Sequence, residues 1–216
     1  MKKFIIASII LIATVGSAQT YEIGDHELLL MPTAYTMPKG KSYFANYELF
    51  FLNYTNGVTN STHIGVFTLF PVVKDFIETF TVGVKQNYLR IPSLQGAVWG
   101  TYTPKIGGFT VGNVFSIGRP SNGLHAGIGA AIETEETSKW EVFYMLGYRY
   151  DTSPRVSLIA EYSNFHSLIE EDFNGIISLG VRFRVNTISW ELAGVRPLES
   201  TGDFLFFPLL KATILL

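Results

Sequence analysis

The chain has 216 residues, of which 16% are charged and 14% aromatic, with 20 glycines, no cysteine and a formal net charge of −2. Soluble domains carry about 25% charged residues, so a conventional water-facing exterior is short of charge here. The lack of cysteine excludes a disulfide framework and thiolate metal sites, and a pI near 6.1 leaves no basic footprint for nucleic acid.

The chain opens MKKFIIASIILIATVGSAQT, with Lys2 and Lys3 ahead of an apolar run at 4–15 and small residues at Gly16, Ser17 and Ala18. That is the layout of a secretory signal peptide over 1–18, cut after Ala18, leaving 19–216 as a single domain. The run is too short for a spanning helix, which needs about 20 residues. No cysteine follows the cleavage motif to carry a lipid anchor. No later apolar stretch reaches helical spanning length, so any membrane crossing must be made by strands.

Period-two alternation supplies those strands. The first candidate, 27–36, is weakened by Pro32, because proline cannot donate to a ladder. Residues 42–54 set Tyr43, Ala45, Tyr47, Leu49 and Phe51 against Ser42, Phe44, Asn46, Glu48 and Phe50. A strand at 62–69 is followed by Phe80, Val82 and Val84 opposing Thr79, Thr81, Gly83 and Lys85, then by strands at 94–103 and 109–117. Residues 122–133 alternate most cleanly, with Leu124, Ala126, Ile128, Ala130 and Ile132 on one face and His125, Gly127, Gly129, Ala131 and Glu133 on the other. Next, Trp140, Val142, Tyr144, Leu146, Tyr148 and Tyr150 oppose Glu141, Phe143, Met145, Gly147, Arg149 and Asp151. In 156–163, 177–185 and 188–192 the charges Glu161, Arg182, Arg184 and Glu191 all keep to the polar face, and a last strand at 204–216 contains Pro208. The total is about 12 strands, an even number that returns both termini to one side.

Connection lengths agree with a membrane barrel. Tight turns at 151–154 and 186–187 fall on one side, and longer connections at 134–138, 164–174 and 197–203 fall on the other, as periplasmic turns and external loops should. The turn at 55–60 is long for its side.

Alternation is equally compatible with a secreted soluble β-sandwich or lipocalin-like binding protein whose apolar face points inward. A soluble barrel of a dozen strands lined with these apolar residues would enclose a void, an objection that a sandwich escapes. The other face is rich in Gly127, Gly129, Gly147, Gly180, Ser157 and Ser178, which suits a narrow lumen better than a soluble exterior. Tyrosine and tryptophan at strand ends suit an interfacial girdle. The expected fold is all-β: a transmembrane antiparallel up-and-down β-barrel in the cell outer membrane.

The pattern resembles that of small porin-like outer-membrane β-barrel proteins of Gram-negative bacteria, and the stretch MPTAYTMPKGKSYFANYELFF is similar to the opening of one group among them. Such barrels often end in an aromatic residue, whereas this chain ends KATILL.

The candidate lumen residues are Glu48, Lys85, His125, Glu141, Arg149, Glu161, Arg182, Arg184 and Glu191, all on polar faces. With both signs present, a passive and weakly selective pore for small polar solutes is expected. The competing role is structural, with Glu161 or Glu191 paired to Arg182, since buried charges must be paired or solvated. No cofactor is implied, and the expected state is a monomer in outer-membrane lipid. A lipid-modifying enzyme is the alternative. His26, His63, His125 and His166 show no metal-ligand spacing, and none has a serine two residues on. His125 with Glu133 or Glu141 is the remaining acid–base candidate. Residues 121–123 read as turn chemistry and 107–112 as strand and turn glycines, while Glu170, Glu171 and Asp172 form an acidic loop tip that could meet cations or partners.

Overall fold

Twelve antiparallel strands hydrogen-bond in sequence order around a closed barrel, with the last paired to the first. A computed structural model describes residues 21–69, 76–133, 140–164, 174–198 and 206–216, so the expected signal peptide, His166 and the expected acidic tip at 170–172 lie outside the described residues. The strands are β1 Ser42–Tyr47, β2 Phe51–Gly57, β3 Thr62–Leu69, β4 Thr81–Ile91, β5 Leu94–Thr103, β6 Gly108–Arg119, β7 Asn122–Glu133, β8 Glu141–Ser153, β9 Val156–Ser163, β10 Ile176–Val185, β11 Ile188–Pro197 and β12 Phe207–Leu215. Closure leaves no unpaired edge.

The alternation resolves into an apolar outside and a mixed inside. Along β8, Val142, Tyr144, Leu146, Tyr148 and Tyr150 are exposed, while Phe143, Met145, Gly147 and Arg149 are buried. Leu124, Ile128, Leu158, Leu179, Phe183, Trp190 and Leu192 continue the exposed apolar surface around the wall. That exterior overturns the soluble sandwich and lipocalin alternatives, which would bury this face. Aromatic residues thicken both margins: Phe109 and Trp140 meet edge to face at 6.2 Å near one, and Tyr148 donates to Asn122 near the other.

The connections 58–61, 92–93, 120–121, 154–155 and 186–187 lie at the end that carries the start of β1 and the end of β12. At the opposite end lie the strand ends joined by 48–50, 70–80, 104–107, 134–140, 164–175 and 198–206, so every long connection joins strands there. Short turns therefore mark the periplasmic end and long loops the external one.

Two of the expected strands are corrected. Residues 42–54 are not one strand, because Glu48 and Leu49 adopt positive φ (53° and 64°) and reverse the chain into the β1–β2 hairpin. Neither is the Gly or Asn that normally marks such a turn, so the reversal carries no sequence signal. Residues 27–36 are not a wall strand, and among the described residues their only ladder contact is an isolated bridge between Glu27 and Pro32. The total of twelve survives because one error adds a strand and the other removes one. The facing of β1 is also inverted: Tyr43, Ala45 and Tyr47 point inward and Phe44 outward. Pro208 is tolerated in β12 because β1 pairs only with Lys211 and the residues beyond it.

Candidate functional site

Residues 22–37 enter the barrel from the periplasmic end, turn at Leu28–Met31 and run back out to β1. The turn closes through the Leu28 N–H donating to the Met31 carbonyl at 2.8 Å. On the way out, the Gly40 and Gly57 N–H groups donate to the Gly57 and Lys41 carbonyls, which joins the segment to the wall just ahead of β1. Unlike the strands, this segment carries consecutive Leu28, Leu29, Leu30 and Met31, which cannot alternate between two faces.

The apolar side chains of this inner hairpin build a core inside the barrel. Leu28, Leu29, Met31 and Ala34 pack against Ala97, Val114, Phe143, Met145, Ile159 and Ala193 of the wall. Met37 packs against Tyr43, Ala45 and Tyr47, which is why those β1 residues face inward. Glycines on the wall make room: a Cβ on Gly147 would stand 2.3 Å from Leu28 Cδ1, and one on Gly180 would stand 2.9 Å from Leu29 Cδ2.

The wall's ionic side chains hold the hairpin largely by its main chain. Arg182 donates to the Gly24, Glu27 and Leu28 carbonyls at 2.6, 3.0 and 2.7 Å, and pairs with Glu191 at 2.7 Å. Gly24 lies so close to that guanidinium that a Cβ would collide with it, and its φ of +85° is one that glycine adopts readily. Lys85 Nζ donates to the His26 and Thr33 carbonyls at 2.6 and 2.9 Å, and Lys211 to those of Leu28 and Leu29 at 3.3 and 3.1 Å. Glu161 works in the opposite sense: its carboxylate accepts the N–H groups of Leu29, Leu30 and Met31 between 2.6 and 3.2 Å. Successive main-chain N–H groups converging on one anion form a strong charge-assisted set.

The hairpin's own carboxylates complete the network. Asp25 pairs with Arg149 at 2.7 Å and Glu27 with Lys211 at 2.7 Å. Tyr21 Oη lies 2.7 Å from His26 Nδ1, His26 Nε2 faces Glu27 at 3.2 Å, and burial holds the His26 pKa below the ordinary value. Burial alone would raise the Glu27 carboxyl, but Lys211 and His26 together hold it well below the usual carboxylate range. Asp151 ties Arg149 and Arg184 together at 2.9 and 2.7 Å.

Of the residues singled out from sequence, Lys85, His125, Arg149, Glu161, Arg182, Arg184 and Glu191 are buried inside the barrel. Glu141 stands near the external mouth, where it lines the cavity described below. Glu48 lies in the β1–β2 turn instead of along a strand face, and accepts the Leu210 N–H at the external rim. Sequence reading missed Lys211, Asn87 and Ser116 of the wall and the whole hairpin, and it set Asp151 on the polar face without counting it among the lumen residues. Lys211 had a signal, as a lone cation between Leu209 and Thr213 at inward spacing in an apolar strand. Residues 27–36 had one too, in the same apolar run that prevents alternation.

His125 cannot work with Glu133 or Glu141. It pairs with Gly147 across β7 and β8, and Glu141 is six residues further along, about 20 Å at strand rise. Glu133 is eight residues away on its own strand, about 26 Å. The neighbour of His125 is Ser116 on β6, whose Oγ lies 2.7 Å from Nδ1 and accepts the Ala34 N–H at 2.9 Å.

Beyond the hairpin's turn the barrel opens outward into a cavity of about 760 Å³, lined by Leu30 and Pro32 at its floor and by Tyr47, Phe51, Trp99 and Glu141 at its sides. Closed, apolar outside and ionic within, the molecule is a transmembrane β-barrel of the outer-membrane class. No protein-family model matches the chain, and no curated protein sequence matches it. Among solved structures it is similar to the outer membrane protein Omp33 of Acinetobacter baumannii, at 11% identity and a TM-score of 0.47 over 81% of this chain and 95% of that one. It is also similar to LpxR from Salmonella typhimurium, at 10% identity and a TM-score of 0.41 over 82% and 99%. A third is an anion-selective porin from Comamonas acidovorans, at 11% identity and a TM-score of 0.39 over 76% of this chain and 57% of that one.

Proposed function

We propose that the protein is an outer-membrane channel for small polar solutes whose lumen is closed, in the arrangement described, by its own N-terminal hairpin. The observation that carries the reading is how the hairpin is held. Arg182, Lys85, Lys211 and Glu161 grip it through its main chain, so the barrel's costly buried charges serve the segment that fills it. The closed β-ladder does not depend on that segment, because β1 pairs directly with β12. Withdrawal of 22–37 would therefore leave an intact, ion-lined passage. The chain would reach the outer membrane after export and cleavage behind Ala18, and act there as a monomer.

A hydrolytic reading has one observation in its favour, the Ser116–His125 contact at 2.7 Å. Against it, Ser116 already takes the Ala34 N–H, both residues lie beneath the hairpin, and His125 Nε2 has no hydrogen-bond partner among the described residues. The pair is better read as an anchor for the hairpin's returning arm.

Planar-bilayer recording tests the channel. Wild-type protein should give rare, brief current steps, and Glu161→Gln frequent ones. Silence from both, with heat-modifiable gel mobility confirming folded barrels, would overturn the proposal.

A further inference from the structure

We infer that the open lumen selects anions and that its solutes are small carboxylates, an inference that rests on the channel reading above. Among the described residues of the lumen's middle belt, the wall contributes Lys85, Arg149, Arg182, Arg184 and Lys211, against carboxylates at Asp151, Glu161 and Glu191. The cationic excess of the wall is two, and the hairpin sets three carboxylates against it: Asp25 and Glu27 in close ion pairs, and Glu22 3.8 Å from Arg149 and Arg184. With the hairpin seated the wall's positive excess is offset; with it withdrawn the belt carries uncompensated positive charge inside a low-dielectric wall, which draws anions in and repels cations.

The hairpin also shows which chemistry the wall accepts. Arg149 and Lys211 each hold a hairpin carboxylate at 2.7 Å. Lys85 holds only hairpin carbonyl oxygens, and among the described residues no wall carboxylate lies within ion-pairing distance of it. A solute carboxylate entering the emptied lumen would find the same donors that Asp25 and Glu27 occupy. The hairpin sits there as an internal stand-in for the solute.

The test is the reversal potential of Glu161→Gln openings in a potassium chloride gradient, repeated with succinate replacing chloride on one side. Reversal on the chloride side, with measurable succinate current, is expected. Adding Lys85→Gln should move reversal toward potassium. A Lys85 that merely held the hairpin would change how often the channel opens and leave its selectivity alone. Reversal at zero or on the potassium side would overturn the charge assignment while leaving the channel standing. Chloride reversal without succinate current would overturn the solute class. Absence of openings in every variant would take both readings down.

Discussion

Glu161 and Leu29 are 132 residues apart in sequence, yet the Glu161 carboxylate receives the Leu29 N–H at 2.6 Å inside the barrel, together with the N–H groups of the next two residues. One strand side chain thus fixes the tip of a segment that belongs to no strand. Glutamine keeps the shape but loses the charge that strengthens all of these bonds, a loss of about 1.5–3 kcal/mol.

That loss can be read with a thiol, since the natural chain has no cysteine. Leu28 is fully buried at the tip. A Leu28→Cys reporter should react slowly with maleimide in the folded barrel, and about tenfold faster or more once Glu161→Gln is added. Equal rates in the two backgrounds would show that the carboxylate does not hold the tip.

Packing between hairpin and wall gives a second expectation. Gly147→Ala would place a Cβ 2.3 Å from Leu28 Cδ1, and overpacking of this kind costs about 1–3 kcal/mol. Leu28→Ala alone also destabilises, by opening a cavity. The two together should cost clearly less than their sum when the midpoint of heat modification is measured. Strict additivity would mean that the side chains do not meet.

On the outer surface, depth should decide the cost of charge. Leu146 lies midway along β8 with its side chain outward, whereas Trp140 sits at the external margin. Leu146→Lys should cost roughly 2–4 kcal/mol and Trp140→Lys about 0–1, read by equilibrium folding into lipid vesicles. A harmless Leu146→Lys would contradict the membrane placement of that face.

Acidity should act on the seated hairpin through Glu27. In water this carboxyl has an ordinary value near 4.5, and inside the barrel it is held well below that. A depressed value means that seating gains from the ionised group above the ordinary range, and loses this gain as pH falls toward the depressed value. Channel openings in wild type should therefore rise only below the ordinary carboxylate range, and Glu27→Gln should lack that acid-side rise. An identical acid response in the variant would assign the effect to another group.

Much of the wall was legible because its residues answer to one short-range rule. In β7, β8 and β10 every inward or outward assignment follows from alternation, since lipid on one side and polar contents on the other select opposite side chains at successive positions. Where a segment has a different partner, the rule misleads. Tyr43 and Tyr47 look lipid-facing beside Phe44, but they cover Met37 and meet the hairpin, with Tyr47 O–H donating to Glu27 at 3.0 Å. Ser116 and His125 were invisible as a pair because they lie on neighbouring strands whose register brings them together.

Taken alone, the amino-acid order determined that strands cross a membrane and that Lys85, Arg149, Glu161, Arg182, Arg184 and Glu191 share the polar side. Those properties depend on neighbours along the chain and on the solvent each face meets. Only the tertiary structure decided what those charges touch, because a buried ion takes whatever partner closure of the barrel brings within about 3 Å. For Lys85, Glu161 and Arg182 the partner is the main chain of residues 24–33, more than 50 positions away along the chain.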